Sequence, residues 1–226
     1  MAALPVSTSE AILRRAGMIL LGAAAFDIAW MVWRVAGGAD YSYSMTILAV
    51  IGSVLLLRGS LKAAFFLVWI ASLLLPLAVA SGAMALLQPV DLTLTRLRLD
   101  ASGQIAAALP LLVFCVALYW LRTELLRQPV QAAMLIAGRR RPAAHVALGI
   151  GVVLGLLALL GSHLSRSVDL AGKAEALARA KHGADFHYYA SKITPRDDME
   201  GTFVEAKVEA WRADRVDTVD VFWKEK

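Results

Sequence analysis

The sequence predicts a polytopic α-helical membrane protein with five transmembrane helices and a small C-terminal α+β module. The chain of 226 residues is 59% hydrophobic and has a mean hydropathy of +0.63, whereas roughly half of the residues of a soluble domain are apolar. Five apolar stretches lie within residues 1–163, and residues 164–226 are polar. We therefore divide the chain into a transmembrane domain, 1–163, and an extracytoplasmic module, 164–226.

The five apolar stretches are predicted to span the bilayer, whose hydrocarbon core of about 30 Å needs roughly 20 apolar residues. The first stretch lacks the cleavage site of a signal peptide, so we interpret it as a retained helix. The second stretch is short and needs a thinned bilayer or snorkelling by Arg58 to span. Pro76 and Pro110 lie in the third and fourth stretches and are interpreted as packing kinks. The predicted helices are about Ala16–Val35, Tyr43–Leu57, Ala63–Leu87, Ile105–Leu121 and Ala144–Leu160.

Basic residues in the short loops predict the orientation, because Lys and Arg are enriched on the cytoplasmic side of a membrane. A cytoplasmic N-terminus places nine basic residues inside and three outside. Without the short second helix, the cluster Arg139–Arg141 would lie outside, against this cytoplasmic bias. The module then faces outward, which predicts a bacterial inner membrane protein with a periplasmic C-terminus. The inner residues are Arg14, Arg15, Arg58, Lys62, Arg122, Arg127, Arg139, Arg140 and Arg141, and the outer ones are Arg34, Arg96 and Arg98.

Two of the predicted loops are long enough to carry structure of their own. The inner loop between Arg122 and Pro142 is half apolar, which predicts a helix lying on the cytoplasmic leaflet. The outer loop Gln88–Gln104 contains Arg96 and Arg98, which we expect to contact lipid headgroups. Both loops are therefore expected at the membrane surface.

The fifth helix contains the G-x-x-x-G unit of Gly151 and Gly155. Small residues let helix backbones approach closely, so this face is predicted to pack on another helix. We favour a helix of the same chain, and a partner chain is the alternative.

The polar tail predicts one helix followed by a three-stranded antiparallel meander. Apolar residues recur at three- and four-residue spacing from Leu164 to about Gly183, which is typical of an amphipathic helix. The strand-like runs are Phe186–Ile193, Thr202–Trp211 and Val216–Trp223, with turns at 195–201 and 213–215. Alternation predicts that one face of the sheet is buried. The residues predicted on that face are Val204, Ala206, Val208, Ala210, Val219, Val221 and Trp223.

The module is small, and a domain of about 60 residues buries only about 60% of its unfolded surface. The module is therefore expected to pack against another surface. The candidates are the outer loop Gln88–Gln104, a partner protein added along an open strand edge, or the lipid surface. We propose Tyr189, Val208 and Trp223 as positions at a possible partner edge.

Asp27 is the candidate functional residue, because a carboxyl near the middle of a membrane helix costs about 2.5 to 3.5 kcal/mol on insertion scales. It could carry protons or bind an ion. The alternative is a structural hydrogen bond to Ser53 or Ser72 on a neighbouring helix. No second intramembrane carboxyl accompanies it in the predicted spans.

The sequence predicts no catalytic, cofactor or metal site. It contains no nucleophile elbow, P-loop, H-E-x-x-H or dinucleotide-binding motif. Cys115 is the only cysteine, and the four histidines match no metal-binding spacing. Residues 1–163 carry twelve basic and six acidic residues, against eleven and twelve in 164–226, so the basic excess reflects membrane insertion and no nucleic-acid partner is expected.

These observations lead to one leading hypothesis and two alternatives. The leading hypothesis is a non-enzymatic membrane accessory or scaffold protein whose outward module contacts another membrane protein. The first alternative is a transporter or channel subunit that uses Asp27. The second is a membrane enzyme acting on lipid, which no catalytic spacing supports.

Overall fold

A computed structural model describes residues 6–37, 46–139, 142–164, 168–198 and 201–224. These residues form eight helices followed by a three-stranded antiparallel sheet, in agreement with the predicted mostly helical chain and C-terminal meander. The helices are α1 Val6–Ala36, α2 Thr46–Leu57, α3 Leu61–Leu86, α4 Val90–Leu99, α5 Ala101–Leu125, α6 Gln128–Ile136, α7 Ala144–Leu164 and α8 Val168–His182. The strands are β1 His187–Asp198, β2 Gly201–Arg212 and β3 Arg215–Lys224.

Four of the described helices are long and apolar enough to cross a bilayer by length and composition. They correspond to the predicted first, third, fourth and fifth spans. Helix α2 has 12 residues and is therefore about 18 Å long, which is shorter than the hydrocarbon core. The predicted start of this span at Tyr43 lies outside the described residues.

The chain divides into two compact units, which are described separately. The first contains residues 1–79 and 107–155. Helices α1 and α2 pack side by side and antiparallel. Gly17, nearer the start of α1, faces Leu56 at the end of α2, whereas Gly52, earlier in α2, faces Leu20, later in α1. The unit has an apolar core to which α1, α2, α3, α5 and α6 contribute buried side chains.

Helix α6 forms in the inner loop that the sequence predicts as a surface helix. Its side chains Val130 and Met134 are fully buried in the apolar core, and the helix contacts α1. Ile136 at its end is exposed. The two most buried apolar side chains of this helix therefore pack on protein, and contact of its exposed Leu135 and Ile136 with a leaflet stays a prediction.

Gly151 of α7 lies against the backbone of α3. A Cβ at this position would clash with the carbonyl oxygen of Leu73 and would lie 3.1 Å from its carbonyl carbon. Gly155, one turn later, is also buried. The structure thus places Gly151 where a side chain would push α3 and α7 apart.

The second unit contains residues 80–106 and 156–226. Its sheet has the order β1-β2-β3, and α8 packs on one face. Ala174 and Ala178 of α8 are fully buried in the core between helix and sheet. The face predicted from alternation is the buried one, with Val204, Ala206, Val208 and Ala210 at most 1% exposed.

The first strand is longer than predicted. It continues to Asp198 through Pro195, which pairs with Val204 of β2, whereas the sequence suggests a turn that begins at Pro195. Proline cannot donate to a ladder, but β1 is an edge strand and can accommodate it. A bulge between Ala190 and Lys192 changes the register of the same strand.

Helix α4 lies in residues 88–104, which the sequence predicts to be an outer loop without a helix, and it contacts β2 and β3. Its Leu92 is fully buried. Asp100 lies between α4 and α5 and caps the N-terminus of α5. Its Oδ1 accepts a hydrogen bond of 2.8 Å from the Gly103 amide. The segment that contains α4 is thus one of the surfaces on which the sheet packs, and it is one of the candidates predicted from the sequence.

Candidate functional site

Asp27 lies on α1 and accepts a hydrogen bond from the hydroxyl of Thr46, the first residue of α2. The two serines that were proposed as partners are engaged elsewhere. Ser53 donates to the carbonyl oxygen of Val50 at 2.7 Å, and Ser72 accepts from Arg122 at 3.1 Å. Asp27 therefore joins α1 to α2 through a partner that sequence reasoning missed.

Asp27 also lines a cavity of about 370 Å³ formed by α1, α2 and α5. Among the described lining residues, Asp27 and Thr46 carry the only carboxyl and hydroxyl groups, and none is basic. Aromatic rings form part of the wall. The lining comprises Leu20, Ala23, Ala24, Phe26, Asp27, Trp30, Thr46, Ala49, Ala107, Pro110, Leu111, Val113, Phe114, Ala117 and Leu118.

The aromatic part of the wall is continuous along α1. The rings of Phe26 and Trp30 are stacked with centroids 5.9 Å apart, and Trp30 contacts Trp33 at 4.8 Å. Pro110 lies opposite on α5, one turn before Phe114. Trp30 lies four residues after Phe26 and three after Asp27 on α1, and because residues three and four apart share a helix face, Trp30 shares a face with each of them.

A second cavity of about 200 Å³ adjoins the same elements and is apolar throughout its described lining. It shares Leu20, Ala49, Phe114 and Leu118 with the first cavity. Of the two cavities, the first alone has a carboxyl and a hydroxyl group in its described lining, those of Asp27 and Thr46.

Glu124 is a buried carboxyl in the first unit, whereas Asp27 is only partly buried, and sequence reasoning missed Glu124. Its side chain is 1% exposed, and Oε1 lies 2.9 Å from Arg127 Nη2 and 3.9 Å from Arg15 Nη1. Oε2 is buried without a hydrogen-bond partner among the described residues. Helix α5 extends to Leu125, four residues beyond its predicted end, and so brings this group into the core.

The proposed partner-edge residues occupy different environments. Tyr189 and Trp223 lie on the edge strands β1 and β3, whereas Val208 lies in the central strand and is fully buried. Trp223 is partly buried against the core between α8 and the sheet. A partner could therefore reach the strands of Tyr189 and Trp223 more readily than the side chain of Val208.

The most exposed large apolar side chain of the sheet is Phe222, at 69%. Phe203 on the neighbouring strand is 37% exposed, and the Lys224 ammonium lies 5.2 Å from its ring centroid. Both rings lie on the face opposite α8, since their positions alternate with buried Val204 and Val221. We call Phe203 and Phe222 the phenylalanine patch.

His182 at the end of α8 belongs to a polar cluster with β3. Its Nε2 lies 3.0 Å from Asp217 Oδ2, and Arg215 Nε donates to the same carboxylate. The hydrogen bond from Arg215, followed by that from His182, lowers the pKa of Asp217 from its ordinary value. In the part of the chain that the structure describes, no three His, Cys, Asp or Glu residues are grouped closely enough to hold a metal ion.

Comparison with protein-family models, curated proteins and solved structures finds no match to this chain.

Proposed function

We propose that the chain is an integral membrane accessory protein whose C-terminal module faces outward and binds another membrane protein. The observation that carries the contact is the phenylalanine patch on a sheet whose opposite face is already filled by α8.

Exposed apolar surface supports embedding in a bilayer. In the most apolar 18-residue windows of the four long helices, only 17 to 39% of the residues are buried inside the protein. Large apolar patches are rarely left in contact with water, so these faces favour a lipid environment. Ile47 and Leu48 of the shorter helix α2 are also exposed, at 74% and 58%.

The ion pair between Arg15 and Glu124 supports five spans over four. Both side chains must lie on the same side of the bilayer, which requires an even number of crossings between them. Helices α1, α3 and α5 account for three, so the contact favours α2 as the fourth. The opposed packing of α1 and α2, which returns Leu56 to the level of Gly17, favours the same topology.

The ion pair of Arg96 with Glu209 supports a shared side for α4 and the module. Between Arg96 and Glu209 the chain would cross the bilayer twice, through α5 and α7, so both residues would lie on the same side of the membrane. With the bias of basic residues toward the cytoplasm, this side is the outer one. For a Gram-negative host it is the periplasm of the inner membrane.

Reporter fusions after Arg58, Gln88, Arg139 and Lys226 test this topology. We expect cytoplasmic reporter activity after Arg58 and Arg139 and external activity after Gln88 and Lys226. An external reporter after Arg58 would exclude α2 as a span and contradict the five-span proposal.

The surroundings of the phenylalanine patch favour a protein over lipid as its partner. Glu205 pairs with Phe222 across the strands, and Lys224 pairs with Phe203, so charges of both signs border the rings. Aromatic residues within a polar rim are typical of protein interfaces. An anionic membrane surface would instead attract a predominantly basic rim.

Strand addition is a less favourable mode of binding than contact through the patch. The β1 edge carries a bulge and Pro195, both of which limit pairing with another strand. On β3, the Lys181 ammonium donates to the carbonyl oxygen of Asp220 at 3.2 Å. A partner strand on β3 would have to replace that contact.

Site-specific photocrosslinking in intact cells tests the contact. A photoreactive side chain at Phe222 should give a reproducible adduct with one membrane protein, whereas the same group at exposed Asp214, at the other end of β3, should not. Adducts at Phe222 only with lipid, or equal adducts at both positions, would contradict the proposal. Val208 is unsuitable for the probe because it is fully buried.

The Asp27 cavity favours a transporter or channel subunit as the second candidate. A carboxyl in a cavity within apolar helices is the kind of group that membrane transport proteins use. Purified protein in liposomes should then move a cation, and Asp27→Asn should abolish the movement. Liposomes that remain tight to cations would exclude this candidate and leave the first one intact.

A further inference from the structure

The cavity at Asp27 has the size and composition of a small-molecule site. Its volume of about 370 Å³ lies at the lower end of the range of ligand pockets, roughly 300 to 1,000 Å³. Such pockets are mostly apolar and use a few polar groups to orient the ligand. Here the polar groups are the carboxyl of Asp27 and the hydroxyl of Thr46, placed together by their hydrogen bond.

The charge of the lining selects for a cation. Its described residues include one carboxyl and no basic side chain, a composition that favours a positively charged ligand over an anion. An ion pair inside an apolar cavity is screened less than one in water.

The aromatic wall favours an organic cation over a metal ion. Ca²⁺ and Mg²⁺ require about six or more oxygen ligands, whereas in the described part of the lining two side chains, Asp27 and Thr46, carry oxygen atoms. The stacked rings of Phe26 and Trp30 instead offer π faces, which attract ammonium groups. Phe114 on α5 adds a third ring to the wall.

We propose that the cavity between α1, α2 and α5 binds a lipophilic monocation, an ammonium group with a small aromatic or branched apolar body. Asp27 contacts the ammonium, Phe26 and Trp30 cover it, and the apolar wall of α5 holds the body. The inference rests on the cavity and requires neither transport nor a protein partner.

Binding to the purified full-length protein in nonionic detergent tests the proposal. The probe is benzyltrimethylammonium, which stays charged at every pH, and neopentylbenzene is its uncharged analogue of the same shape. Equilibrium dialysis against protein-containing and empty micelles should show saturable binding of the ammonium to the protein. Absence of saturable ammonium binding to the wild-type protein would overturn the proposal without any variant.

Asp27→Asn should weaken ammonium binding by about tenfold or more, because the quaternary ammonium loses its Coulombic attraction to the carboxylate. Binding of neopentylbenzene should remain, because the amide can still accept from Thr46 and the cavity is retained. The matched control is Asp91→Asn, an exposed carboxyl on α4, which should change neither affinity. Equal ammonium affinity in Asp27→Asn and the wild type would overturn the role of the carboxyl.

Ala107→Phe provides a test that keeps the carboxyl in place. Ala107 lines the cavity but is exposed, so a ring at this position can narrow the cavity without disturbing a packed core. It should weaken binding of both probes. Unchanged ammonium binding in this variant would place the ligand elsewhere and overturn the proposal, even if Asp27→Asn failed to fold. None of these results depends on crosslinking at Phe222 or on flux in liposomes.

Discussion

Arg96 of α4 and Glu209 of β2 form an ion pair, with Nη2 and Oε2 3.0 Å apart, that joins the segment before α5 to the central strand of the sheet. Both side chains are largely buried, at 25% and 12% exposure. Arg96 also donates to Gln88 at 2.9 Å, and the Thr218 hydroxyl donates to Glu209 at 3.3 Å. The arginine expected at lipid headgroups is thus part of a protein contact.

Removal of this pair should loosen α4 from the sheet. In a double-mutant cycle of Arg96→Ala and Glu209→Gln, we expect a coupling energy of about 1 kcal/mol, above that of a typical exposed pair because water is partly excluded. Hydrogen exchange of the β2 and β3 amides in the full-length protein measures it. Arg98→Ala, an exposed arginine on the same helix, is the matched control and should show no coupling to Glu209.

Glu124 should be essential for the packing of α5 against its neighbours. Its replacement by Ala removes the partner of Arg127 and of Arg15 and leaves a small void in the core. Since both arginines are about half exposed and can rehydrate, we expect a cost of about 2 kcal/mol, below the values for fully buried pairs. The thermal midpoint of the detergent-solubilised protein is the measurement.

Two comparisons separate the ion pair from general effects of charge removal. Glu10→Ala removes an exposed carboxyl from α1 and should leave the midpoint unchanged. Arg127→Ala should cost more than Arg15→Ala, because its nitrogen is 1.0 Å closer to Glu124, 2.9 against 3.9 Å. A Glu124→Ala protein as stable as Glu10→Ala would contradict the proposed role.

The elements with a regular apolar period were predictable, because burial of one face imposes that period on the sequence. Alternation in β2 and β3 predicts the buried Val208, Val219 and Val221. Helix α4 was not predicted, since leucines alternate with polar residues from Leu92 to Leu99 in a pattern typical of a strand. Its helical form coincides with contacts to β2 and β3, which a local pattern does not contain.

The site residues were only partly predictable. Asp27 stands out because carboxyls are rare in apolar helices. Its partner Thr46 could not be predicted, because their contact depends on the register of α1 against α2. An antiparallel hairpin that places Gly17 opposite Leu56 also brings residue 27 opposite residue 46, so this register was the missing signal. Glu124 gave no signal, because its basic neighbours make the segment resemble a solvated loop.

Gly151→Ala should destabilise the protein, whereas Gly149→Ala should not. A Cβ at Gly151 would clash with the Leu73 carbonyl oxygen, which belongs to a helix backbone and cannot move without shifting α3. Overpacking of this kind typically costs about 1 to 3 kcal/mol. Gly149 has open space around its Cβ position, so alanine there should gain up to about 1 kcal/mol of helix propensity.

Thermal midpoints of the two alanine variants, measured in the same detergent, provide the comparison. The chemical change and the helix are identical, so only the contact with α3 differs between them. A Gly151→Ala protein that is at least as stable as Gly149→Ala would mean that α3 and α7 do not approach so closely.

Acid should loosen the contact between α8 and β3 through Asp217. Its pKa is lowered, first by the hydrogen bond from Arg215 and then by that from His182, so the folded module favours the carboxylate. A carboxyl with a lowered folded pKa stabilises the fold above its ordinary value of 3.8, and this contribution disappears as the pH falls through the lowered pKa. Asp217→Asn should therefore be less stable than the wild type at pH 6, and the difference should vanish in strong acid.

Thermal midpoints of the two proteins between pH 2 and 7 test this, with exposed Asp214→Asn as the matched control. A constant difference between wild type and Asp217→Asn down to pH 2 would show that the carboxylate charge is not what Arg215 and His182 stabilise.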